Sequence, residues 1–230
     1  PTHVFTHRTA RFHRDHVAAH QITLDSVLRA SPAGIDTGQL IHPGIMYGLF
    51  ADWDGTPFDA GGVALFYHGL NEKGAETLAG LDADLQAVRR RLEHDLDLAS
   101  VRPLLAWLRR SYGPAIGDPS TLRAAFLTNR AYAGLKAPVR EVSPGCFVPD
   151  FAARYLAEDV PFGLTVSRAI AALAGLETPA MDRVIAWAGE QLGRDYLGRD
   201  ELQARIPQRY GLRSMEALLA FTNEGEDNEC

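Results

Sequence analysis

Residues 78–92 read Leu78-Ala79-Gly80-Leu81-Asp82-Ala83-Asp84-Leu85-Gln86-Ala87-Val88-Arg89-Arg90-Arg91-Leu92, and the spacing of their large apolar side chains decides the fold class. Leu78, Leu81, Leu85, Val88 and Leu92 follow one another at intervals of three, four, three and four. That period places all five on one stripe of an α-helix, with Arg89, Arg90, Arg91 and Glu93 assigned to the polar face. Outward from this helix, similar patterns predict helices over 101–112, 119–133, 150–157, 162–174, 179–193 and 214–222. Gly113-Pro114, Asp118-Pro119, Ala137-Pro138, Ser143-Pro144-Gly145 and Thr178-Pro179 separate them as turn signals. Thr178 reads as an N-cap and Pro179 as the first helical residue, followed by a buried stripe of Met181, Ile185, Ala188 and Leu192. Residues 50–70 resist the helical reading and are expected to run as an extended excursion over the helices. The expected fold is all-α: one helical domain over 36–225, preceded over 1–35 by a connector or the tail of another unit, and followed by an acidic tail over 226–230.

The chain has 230 residues, of which 46% are apolar and 23% charged, enough to bury a substantial core. Its formal charge of −6, with no long basic stretch, argues against nucleic acid as a partner. No apolar run approaches the roughly 18 residues of a membrane span, and the first residues lack the apolar centre of a signal peptide, so a cytoplasmic location is expected. Two cysteines, Cys146 and Cys230, make no disulfide framework.

Three groups of residues are candidates for chemistry. His42 lies in Gln39-Leu40-Ile41-His42-Pro43-Gly44, where apolar neighbours partly enclose an imidazole suited to acid–base work; the alternative is a helix-end histidine with one satisfied nitrogen. The run Arg154-Tyr155-Leu156-Ala157-Glu158-Asp159-Val160-Pro161 offers a guanidinium fork and two adjacent carboxylates, only one of which can face inward. Pro161 is expected to push Val160 out of the α region and leave Asp159 at a bend, the alternative being an exposed helix-end ion pair. His13, His16 and His20 have a spacing that can bind zinc, but no glutamate or cysteine supports a metal, and a solvated surface stretch is preferred. Trp107, within Leu104-Leu105-Ala106-Trp107-Leu108, reads as core first and as a substrate wall second. A dinucleotide-binding Gly-x-Gly-x-x-Gly turn is absent from the sequence.

Several longer stretches, in order, resemble the helical C-terminal domain of the octopine/nopaline (opine) dehydrogenase family. They are IHPGIMYGLFADWDGTPF, LFYHGL, DLASVRPLLAWLRRSYG, TNRAYAGLKAPV, PDFAARYLAEDVPFGL, AGLETPAMDRVIAWAGEQLGRDYL and PQRYG, spanning about residues 38 to 212. The resemblance implies a domain like the C-terminal domain of 6-phosphogluconate dehydrogenase, working beside a Rossmann domain supplied in cis or in trans. It implies an oxidoreductase that condenses an amino acid, arginine-like, with a pyruvate-like 2-oxo acid and reduces the product with NAD(P)H. By the same resemblance His42 matches the catalytic histidine, Asp159 the acid paired with it, and Arg154 the arginine that completes the relay and grips the oxo acid. Trp107 falls near an aromatic that contacts the amino acid. NAD(P)H would be bound mainly by the nucleotide domain, so this chain alone is expected to be inactive, and no metal is implied. A homodimer is left open. The alternative function is a non-catalytic helical module for dimerisation or for binding a small acid.

Overall fold

The structure is a computed structural model and describes residues 37–198 and 206–223. The expected connector, the zinc-spaced histidines and the acidic tail lie outside the described residues. A 3₁₀ turn, Thr37–Leu40, leads into helix α1, Ile41–Phe50. The long helix α2 spans Glu72–Leu92, followed by α3, Leu104–Tyr112, and the short α4, Leu122–Leu127. Strands β1, Val139–Ser143, and β2, Cys146–Pro149, form an antiparallel hairpin. The chain closes with α5, Arg154–Ala157, a π-helical turn at Val160–Leu164, α6, Thr165–Leu173, α7, Pro179–Leu192, and α8, Met215–Asn223.

Helix α2 is the centre. Leu78, Leu81, Leu85, Val88 and Leu92 are all fully buried, as their spacing requires, and Arg89 pairs with Glu93 one turn on at 3.2 Å. Asn71 caps the helix by accepting from the Gly74 N–H at 2.8 Å, and its amide donates to the Gly48 carbonyl of α1 at 2.7 Å. The two helices touch there backbone to backbone. A Cβ on Gly48 would lie 2.3 Å from Gly74 Cα, so only glycine fits the crossing.

Two aspartates of α2 leave the polar face that the pattern assigns to charge. Asp84 Oδ2 accepts from the Ala180 and Met181 N–H groups at 2.9 Å each, and Asp82 Oδ2 accepts from the Leu104 N–H at 3.0 Å. Each carboxylate thus satisfies otherwise orphaned donors at the N-terminus of another helix, α7 and α3 respectively. Thr178 stands at the N-cap position, but its hydroxyl makes no capping bond; Asp84 does that work from α2.

Burial raises both carboxyls above their ordinary range, while the backbone N–H bonds pull them back down. Both therefore bind protons more tightly folded than unfolded. The stability they add is complete below the unfolded carboxylate range, about pH 3.9, and is lost as pH rises through the folded values. Asp84→Asn keeps an acceptor oxygen and cannot ionise. Thermal melts are expected to show the wild type gaining on this variant between about pH 7 and about pH 4. A gap in Tm that stays constant with pH contradicts the assignment.

Two elements depart from the helical pattern. The Ser143-Pro144-Gly145 signal is the tip of the β1–β2 hairpin rather than a break between helices. Residues 51–70 run as turns with isolated bridges, Phe58 to Phe147 and Leu65 to Lys136, so the excursion lies against the hairpin. Its last residues, Phe66, Tyr67 and Leu70, enter the core. Among the described residues no helix is long and apolar enough to cross a membrane, and no cluster of three or more metal-ligating side chains forms.

Candidate active site

His42 is the second residue of α1, and Pro43 and Gly44 belong to the helix rather than ending it. The 3₁₀ turn before it is held by Thr37 Oγ1, which donates to the Arg102 carbonyl at 2.7 Å. Asp159 comes from the short link between α5 and the π-helical turn. Pro161 has no N–H to return to the preceding turn, and the chain answers with a π-helical turn in which the Thr165 N–H bonds to the Val160 carbonyl. Val160 is therefore part of a helical turn, not displaced from it as the proline alone suggests. Gly163 lets this turn approach the segment before His42: a Cβ there would sit 2.9 Å from Gln39 Cβ and Oε1.

The result is a direct contact between residues 117 positions apart: His42 Nδ1 meets Asp159 Oδ2 at 2.7 Å. An ionised carboxylate only accepts, so Nδ1 carries the hydrogen and donates it. The other ring nitrogen, Nε2, lies 2.9 Å from the Tyr67 hydroxyl and, in the neutral ring, accepts from it. The two side chains are about one-fifth exposed, 20% for His42 and 23% for Asp159, so the pair opens to solvent without being immersed in it. Glu158, the other carboxylate of the run, caps α5 through its backbone and does not join the pair.

Aromatic rings fix the imidazole. Tyr155 stacks on it at 4.1 Å with 13° between the planes, and Phe66 tilts beside both. Tyr67 in turn stacks on Tyr132 at 3.9 Å. Burial pushes the phenols of Tyr67 and Tyr132 well up, and neighbouring tyrosines push in the same direction; Arg154 pulls that of Tyr67 down. Tyr67 and Tyr155 both touch the imidazole, and the sequence reading names neither as a candidate. Both sat in stretches already quoted, LFYHGL and ARYLAED, one beside a histidine and the other beside the arginine.

Arg154 is exposed, with its guanidinium 5.8 Å from the centre of the Tyr155 ring and no carboxylate partner among the described residues. Trp107 stands further off. It is partly buried against the core and meets Tyr112 edge-on at 6.2 Å, and Tyr112 leads through Tyr132 to Tyr67. Ring contacts thus link it to the Tyr67 hydroxyl that meets His42. A cavity of about 400 Å³ elsewhere, lined in part by Arg168 and Arg209, contains none of these four residues, and its Arg168 is already paired with Asp182 at 2.9 Å.

Residues 35–192 match the family described as NAD/NADP octopine/nopaline dehydrogenase, alpha-helical domain. The chain belongs to the octopine/nopaline dehydrogenase family. It is 43% identical over 192 residues to the opine dehydrogenase of Haliotis discus hannai, covering 80% of this chain and 47% of that protein. It is 39% identical over 189 residues to the tauropine dehydrogenase of Arabella iricolor, covering 78% and 47%. The solved structure of an octopine dehydrogenase with NADH and L-arginine superposes with a TM-score of 0.72 at 34% identity, covering 79% of this chain and 46% of that one. A second, with NADH and agmatine, gives 0.73 at 31%, covering 85% and 48%. This member of the opine dehydrogenase family thus spans about half the length of the relatives it matches, and the matching half is the helical one.

Proposed function

We propose that this chain is the substrate-binding and proton-transferring half of an opine dehydrogenase, which condenses an arginine-like amino acid with a pyruvate-like 2-oxo acid. In this reading residues 36–225 form the substrate domain, 1–35 are a connector or the end of a nucleotide domain, and 226–230 are an acidic tail. The observation that supports it best is the 2.7 Å contact of His42 Nδ1 with Asp159 Oδ2, beside an exposed guanidinium without a carboxylate partner among the described residues.

Each group has a task that suits its chemistry. An amino acid enters as an ammonium and must lose a proton before its nitrogen attacks the carbonyl, and the carbinolamine that forms must gain a proton to lose its hydroxyl as water. One imidazole can take the first proton and return the second, ending the condensation in the state in which it began. Asp159, accepting from Nδ1–H, fixes the tautomer and stabilises the imidazolium between the two transfers. Arg154 holds the oxo acid's carboxylate in a two-pronged grip that orients its carbonyl. Trp107 is assigned to the amino-acid side of the site.

The groups around His42 are an imidazole, a carboxylate, phenols and a guanidinium. They do not form a cradle for a pyrophosphate, so NAD(P)H is assigned to the nucleotide domain. When bound there it supplies the hydride that reduces the condensation product.

The test uses the full-length enzyme, meaning this chain with its nucleotide domain joined to it or supplied separately, with NAD(P)H, pyruvate and arginine. Wild type is expected to oxidise the nicotinamide only when both substrates are present, and His42→Ala to lose at least about 100-fold in rate. Arg154→Lys keeps the charge but not the fork, and is expected to raise KM for the oxo acid by roughly 10-fold. An alanine variant as fast as wild type overturns the reading, and the chain is then better described as a binding or dimerisation module.

A further inference from the structure

Both nitrogens of His42 are already bonded, so the imidazole has no free ring atom through which to exchange protons with a substrate. Nδ1 is committed to Asp159 at 2.7 Å, and Nε2 to the Tyr67 hydroxyl at 2.9 Å. The in-plane lone pair of Nε2 can meet one partner at a time, and Tyr155 covers one face of the ring. For a substrate to reach Nε2 directly, Tyr67 must move.

The packing opposes that movement. The Tyr67 ring is buried, stacked 3.9 Å from Tyr132 at 14°, edge-on to Phe66 at 4.8 Å, and nearly parallel to Phe126 at 2°. A large ring held on three sides does not swing aside without disturbing the core.

We propose that Tyr67 is a catalytic residue that relays protons between His42 Nε2 and the substrate through its hydroxyl. The proposal rests on the assignment of His42 as the acid–base group. In the forward transfer the imidazolium N–H breaks toward Tyr67 Oη as the Tyr67 O–H breaks toward the departing hydroxyl of the carbinolamine. Water leaves, Tyr67 is again a phenol and His42 is neutral. In the opposite transfer the substrate ammonium gives a proton to Tyr67 Oη while Tyr67 passes its own to Nε2. No proton is gained or lost over the two steps, and Tyr67 never rests as a phenolate. Burial, which pushes this phenol up, suits such a carrier, because it stays protonated and acts only when one proton arrives as another leaves. Arg154 stands 5.8 Å from the centre of the Tyr155 ring that stacks on His42.

Tyr67→Phe in the full-length enzyme keeps the ring stacks and removes only the hydroxyl. Single-turnover rates with saturating arginine, pyruvate and NADH are expected to fall by about 100-fold, with KM for both substrates changed by less than about threefold. In mixtures of light and heavy water the wild-type rate is expected to bow below a straight line, the mark of two protons in flight. A Tyr67→Phe rate within about threefold of wild type, or above it, overturns the relay and makes the hydroxyl a structural contact or a gate. His42→Ala measured alongside separates the two ideas: if it is slow while Tyr67→Phe is fast, only the relay fails, and if it too is fast, the acid–base assignment itself fails.

Discussion

Asp159→Asn in the full-length enzyme is expected to lower the single-turnover rate by about 10²–10⁴-fold, with little change in KM. The variant is nearly isosteric, so the turn and its packing against Gln39 survive. What changes is the direction of one hydrogen bond. The carboxylate, at 2.7 Å from Nδ1, accepts from it and leaves Nε2 as the acceptor facing Tyr67. An asparagine amide can offer N–H to Nδ1 instead, and the ring then carries its proton on Nε2, where the base should be. It also has no charge with which to stabilise the imidazolium. A rate within about threefold of wild type means that the carboxylate only props up the fold.

The second large effect is on folding and needs only this chain. Gly48→Ala places a methyl 2.3 Å from Gly74 Cα and 2.7 Å from its nitrogen, both backbone atoms that cannot turn away. Helices α1 and α2 must separate, and Asn71, which bonds to both at this point, loses the geometry that lets it cap one and bind the other. The expected loss is about 3 kcal/mol, roughly 10 °C in Tm for a chain of this length. Gly61→Ala, at an exposed position where the nearest contact is a side-chain oxygen at 3.2 Å, is the control and should change stability by less than about 0.5 kcal/mol. Equal melts for the two variants contradict the close crossing. Because α1 carries His42 at its start, Gly48→Ala should also disturb the site from two turns away.

The helical stripe of α2 was legible because periodicity reports burial, and Leu78 through Leu92 have no task but packing. Asp82 and Asp84 were not legible as caps. A charged residue on a helix reads as solvent-facing, and nothing in the local pattern tells that two other helices begin against it. Thr178-Pro179 was half legible: the proline marks where α7 starts, but the acceptor for its first donors lies 96 and 97 positions upstream. The π-helical turn after Asp159 follows from Pro161 only once the tertiary position of the chain is known, since a break and a wider turn both answer a missing N–H.

For the site, His42, Asp159 and Arg154 were named from residue types and from the resemblance, and the structure places the first two in contact and the third beside the Tyr155 ring. Tyr67 and Tyr155 were missed because an aromatic in an apolar run reads as core. That is half right, since Tyr67 is buried in it and uses only its hydroxyl for anything else. Trp107 reads as core first and substrate wall second, and the structure shows it partly buried against the core, linked to Tyr67 through the rings of Tyr112 and Tyr132.

The central claim is that His42 and Asp159 act as one proton-transferring unit, and a double-mutant cycle tests it most directly. Single-turnover rates are measured for the full-length wild type, His42→Ala, Asp159→Asn and the double variant. If the two side chains share one task, the double variant is about as slow as His42→Ala alone, because the carboxylate has nothing left to orient. If the two losses instead multiply, each residue acts independently and the 2.7 Å contact is not the unit of catalysis.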